Sequence, residues 1–185
     1  KPMNLRNTLL SLLTLTGTVT APALAGYQYQ GVSLMDGSDF GPHSVVAGDI
    51  INSLNELGVP VIDGGVENLP QCNPRKDGSY TLGFYVPSRN IMAICTDHGN
   101  QDLILETLVH ESVHVIQDAR AGINNGDLGE GNSNYLSKLA NDLHPEKVSI
   151  ISNLYDRKDW NYEVEAFYYE DKPQVVANEL RRWAF

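Results

Sequence analysis

The order of local signals predicts an α+β domain: one helix near the front, a small sheet built on a β-hairpin, then a half given over to helices. Three observations carry this expectation. Two β-rich runs, 80–86 and 91–95, flank Pro87-Ser88-Arg89-Asn90, which is the pattern of a hairpin. The stretch 100–121 contains neither Pro nor Gly and repeats apolar residues at three- and four-residue steps, as a helix does. The periodic stretches after Gly122 are all helical in spacing.

Residues 26–43, rich in Gly, Ser and aromatics, read as an irregular lead-in. Residues 44–57 form a helix with Val45, Val46, Ile50, Ile51, Leu54 and Leu57 on one side, stopped by Gly58. Residues 59–62 follow as a short strand ended by Asp63-Gly64-Gly65, and a loop carrying Cys72 leads into the hairpin. The helix over 100–121 has Asn100 or Asp102 as a cap and Gly122 as its stop. Its apolar face (Leu105, Leu108, Val109, Val113, Ile116) predicts burial on one side only. The Gly- and Asn-rich segment 123–132 reads as a loop. Its Asp127, Glu130 and Asn132 do not match a calcium-binding loop, so solvated turn chemistry is expected there. Helices over 133–143, 145–155, 159–171 and 173–183 complete the chain, the second with Pro145 in its first turn.

The front end reads as an export signal. Lys1 and Arg6 precede a short apolar run, and Ala23-Leu24-Ala25 presents small residues where a signal peptidase cuts, predicting cleavage after Ala25. The expected organisation is therefore a signal peptide, 1–25, and a single domain, 26–185, secreted or periplasmic and without a membrane span. Losing 1–25, with two basic and no acidic residues, moves the formal charge from −10 to −12. So acidic a surface argues against nucleic acid as a partner. The two cysteines, Cys72 and Cys95, predict a disulfide in an exported chain, since neither sits in a CxxC pair.

The chemistry is concentrated in His110-Glu111-Ser112-Val113-His114. On a helix the two histidines lie four residues apart on one face, where both imidazoles reach a single Zn²⁺ and Glu111 stands beside it as a base. Two histidines leave a catalytic zinc site one protein ligand short. A Gly and a His three and six residues past His114 would supply that ligand in the metzincin pattern, but Gln117 and Arg120 stand there.

The later segment Glu163-Val164-Glu165-Ala166 resembles the ExxA segment of gluzincin-type zinc metallopeptidases, of compact, minigluzincin-like size. The resemblance covers roughly residues 80–170 and is strongest at HExxH. It implies a zincin-like fold with an edge strand, 80–86 or 91–95, before the zinc helix. It also implies one catalytic Zn²⁺ held by His110, His114 and Glu163, with Glu165 in reserve and His144 a further candidate. The chain departs from the pattern at Phe167, where relatives carry an Asp that orients a zinc histidine; Glu106, Asp118 or Asn161 would then take that part. The implied reaction is endopeptidase hydrolysis of a peptide or protein substrate, with Glu111 as general base to a zinc-activated water. Tyr162 and His144 are candidates to stabilise the oxyanion, beside Tyr155, Tyr168 and Tyr169. Two other readings stand beside it: a catalytically inactive zinc-binding module, and a zinc amidase acting on cell-wall peptides.

Overall fold

A computed structural model describes residues 31–76, 78–123 and 126–184. The expected signal peptide lies outside them. Among the described residues the architecture is α+β: six α-helices around a three-stranded sheet.

The first described residues are more ordered than the lead-in expectation held. Residues Gly37–His43 form 3-10 turns started by a reciprocal cap, in which Asp36 accepts from Ser38 and the Asp39 carboxylate accepts from the Asp36 amide. The reason is Phe40, fully buried in the main core, an anchor that no periodicity announces. Helix α1 (Ser44–Glu56) follows directly and packs against the last helix, α6 (Pro173–Ala184).

Strands β1 (Val61–Asp63), β2 (Gly83–Val86) and β3 (Ile91–Ile94) give a sheet in the order β1-β3-β2. The hairpin is present, β2 antiparallel to β3, with Asn90 in the left-handed region at its turn; β1 lies parallel on β3's other side. Strand β3 is thus central, which corrects one expectation: residues 91–95 cannot be an edge. The outer strand of the hairpin is β2.

Alternate residues divide between two cores, as the period of a strand requires. Val61, Tyr85, Met92 and Ile94 face the helices; Ile62, Phe84, Ile91 and Ala93 face a smaller core on the reverse. The Cys72–Cys95 disulfide sits in that smaller core and ties the loop before β2 to the residue just after β3.

Helix α2 (Gln101–Ala121) starts at Asn100, whose side chain accepts from Leu103 N–H, and ends at Gly122 (φ 101°). Asp102 is no cap here; its carboxylate pairs with His43 at 2.7 Å. The one-sided burial expected of α2 is not what the structure has. Every residue from Thr107 to Asp118 is buried, because α1, α5 (Trp160–Tyr169), α6 and the sheet surround it. Helix α3 (Ser133–Asp142) packs on α5. Helix α4 (Pro145–Leu154) closes a third apolar cluster with Leu82, Tyr155 and Phe167.

Candidate metal centre

The site is made where α2 meets α5. His110 and His114, one turn apart on α2, project their Nε2 atoms toward Glu163 on the first turn of α5. Glu163 Oε2 lies 3.4 Å from His110 Nε2, and Oε1 lies 3.6 Å from His114 Nε2. Ala166, fully buried between the helices, keeps α5 close to α2 at this level.

The other imidazole nitrogens are committed elsewhere. His110 Nδ1 donates to Glu170 Oε2 at 2.9 Å, and His114 Nδ1 donates to Gln117 Oε1 at 2.8 Å. Gln117 is itself fixed, its amide donating to the Tyr162 carbonyl (3.0 Å) and to Glu165 (3.1 Å). With Nδ1 protonated, each Nε2 offers a lone pair, and both Nε2 atoms are buried without a hydrogen-bond partner. Three acceptors converging in a dry interior is costly without a cation between them. A proton would serve one of the three; a metal ion serves all. Tetrahedral coordination with bonds of about 2.0–2.1 Å sets ligand atoms roughly 3.3–3.4 Å apart, close to the separations found. The residues fit a divalent metal.

The buried carboxylates favour a positive charge at this point, whether a proton on His110 or a cation between the ligands. Burial opposes a charge on His110, but Glu163 and Glu170 outweigh it and raise its pKa; burial holds His114 below the ordinary imidazole value. Burial, with Glu163 adding to it against His110, pushes the Glu111 carboxyl up to about 8. Glu111 reaches across to the outer strand, where the backbone N–H of Tyr85 donates to its carboxylate. Tyr85 is strapped to α2 a second time: its hydroxyl lies 2.6 Å from Asp118 and 2.8 Å from Asn90.

The remaining candidates are placed elsewhere. Glu165, the reserve ligand, is held by Arg120 through two bonds of 2.7 and 2.6 Å and by the Tyr135 hydroxyl, on the side of α5 that faces α3. His144 caps α4 and is largely exposed. Tyr162 spends its hydroxyl on the Leu128 carbonyl, Tyr169 joins Tyr135, and the Tyr155 ring packs on Phe167. Lys172 stands 4.0 Å over the Tyr168 ring. Of the three groups expected to orient a histidine, Asp118 takes Tyr85, Asn161 donates to Glu130, and Glu106 hydrogen-bonds Glu170 instead of an imidazole. The groups that do bond the imidazole Nδ1 atoms, Gln117 and Glu170, were not among the candidates. Gln117 was discoverable, three residues past His114 on the same helix flank.

These features define an α+β domain with a buried His-His-Glu cluster able to hold one metal ion. The chain belongs to the family described as Domain of unknown function (DUF8637), which matches residues 49–185 and so spans the sheet and the whole site. No curated protein and no solved structure matches it.

Proposed function

We propose that this protein is an exported zinc-dependent peptidase of zincin-like design. The observation that carries the reading is the convergence of His110 Nε2, His114 Nε2 and Glu163, with Glu111 next to them on α2. The nitrogen-rich, carboxylate-completed donor set suits zinc, which when bound would supply a Lewis acid and acidify a water. His110, His114 and Glu163 would hold the ion. Glu111, one residue past His110 on α2, would take the water's proton and return it to the leaving group. The Tyr85 amide orients that carboxylate, and β2, the outer strand of the hairpin, is where an extended chain would align.

Export is supported by the Cys72–Cys95 disulfide and by the leader read at 1–25. No helix among the described residues is long and apolar enough to cross a membrane.

A second reading, a non-catalytic zinc-binding module, draws on the burial of Glu111 and of all three ligands. Glu111→Gln separates the two. Assayed on a quenched-peptide library, the variant retains zinc and loses at least about a hundredfold in rate if Glu111 is the base. A wild-type protein that carries zinc and cleaves nothing in the library favours the module.

A further inference from the structure

The proposal below rests on the metal-site reading and concerns how His110 is held. Helix α5 presents a stripe to α2. Seven residues on an ideal helix return to within about 20° of the same face, so Glu163 and Glu170 lie in line with Phe167 between them. All three touch the one imidazole. Glu163 meets its Nε2 end at 3.4 Å, the Phe167 ring stands edge-on at 4.8 Å between centroids, and Glu170 takes its Nδ1 end at 2.9 Å.

Glu170 does not stand there alone. It is 3 % exposed, and its second oxygen lies 2.9 Å from Lys147 Nζ, carried in on α4. The same ammonium donates to the Phe167 carbonyl at 2.9 Å, near the end of α5, where a cation complements the helix dipole. Lys147 thus supplies the counter-charge for a buried carboxylate that also hydrogen-bonds Glu106. His114 has no such partner: its orienter is the neutral amide of Gln117.

We propose that Glu170, seated by Lys147, is the positioning residue for His110, fixing its tautomer and raising its donor strength so that the two metal histidines are unequal. Phe167 fills the position one turn past Glu163 with an apolar wall, and the carboxylate that reaches His110 Nδ1 comes from just beyond it on the same face. A carboxylate partner makes an imidazole a stronger metal ligand, and loss of such a partner typically costs tenfold to a hundredfold in metal affinity.

The test is zinc affinity of the full chain by chelator competition, with the visible spectrum of the Co²⁺-substituted protein as a second readout. Wild type is compared with Glu170→Ala, Glu170→Gln and Lys147→Met. Glu170→Ala weakens zinc by tenfold to a hundredfold and alters the Co²⁺ bands. Glu170→Gln keeps an acceptor and the packing, folds as wild type, and recovers part of the affinity. Lys147→Met gives a smaller loss in the same direction. Unchanged zinc affinity and an unchanged Co²⁺ spectrum in the Gln variant, beside a zinc-binding wild type, overturn this role alone. A wild type that binds neither ion overturns the metal reading and this proposal with it.

Discussion

Gly83 is where the sheet allows the metal helix to come close, and its replacement by Ala tests that directly. A Cβ on Gly83 would stand 2.5 Å from Thr107 Cγ2, 3.1 Å from the Ala93 carbonyl oxygen and 3.2 Å from Ile94 Cδ1. Thr107 is one turn before Glu111 on α2, so the clash pushes apart the same two elements that the Tyr85–Glu111 and Tyr85–Asp118 bonds draw together. Overpacking of this kind costs about 1–3 kcal/mol. Thr107→Ser removes the offending methyl and retains the hydroxyl that donates to the Leu103 carbonyl. That change alone costs about 1 kcal/mol for the lost buried methyl. If the methyl is the obstacle, the double variant is more stable than the two single losses predict, with a coupling of roughly 0.5–2 kcal/mol. Rescue stays incomplete because the Ala93 carbonyl does not move. The assay is urea unfolding of all four proteins, with zinc affinity measured in parallel. Additive losses, or a Gly83→Ala protein as stable as wild type, refute the close-approach argument.

Two further outcomes follow from the environment of the site. Burial and the adjacent Glu170 carboxylate push Glu106 up to about 7, against the opposing charge of Lys147. Between its ordinary 4.5 and about 7 the native state keeps a proton that the unfolded chain has released, so this group makes stability fall as pH rises through that window. The upper bound is about 3 kcal/mol, and partial exposure reduces it. In chelator-treated protein, Glu106→Gln flattens the stability curve between pH 4.5 and 7; an unchanged slope assigns the effect elsewhere. The disulfide closes a separation of 23 residues. Replacing Cys72 and Cys95 together by Ala therefore lowers unfolding stability by roughly 3 kcal/mol, and a loss below about 1 kcal/mol contradicts the chain-entropy account.

Local chemistry in the sequence determined much of this protein. Apolar periodicity and capping residues placed each long helix to within a residue or two, because those signals act over one or two turns and need no partner. The β-rich runs either side of Pro87–Arg89 gave the hairpin for the same reason. A lone pair of cysteines specified its own bond. His110 and His114 share a face by helical geometry alone, and Glu163 was reachable only through the resemblance of its segment to a known pattern.

Tertiary structure decided the rest. Which strand is central depends on β1 coming in parallel to β3 from a distant part of the chain, a pairing that no local pattern encodes. The burial of α2 on all sides from Thr107 to Asp118 has the same origin: its polar flank enters the interior because α5 brings groups that its histidines and Gln117 can bond, and only the packed state supplies them. The choice between Glu163 and Glu165 turns on which way α5 is rotated, and that is set by Ala166 and Phe167 against α2 and by Arg120 reaching for Glu165. Glu170 and Lys147 lie 60 and 37 positions beyond His110 and reach it, directly and through Glu170, only because two more helices fold back. Sequence sets what a residue can do; the packing of distant helices sets which partner it does it with, because burial makes each unpaired polar group expensive and leaves few arrangements that satisfy them all.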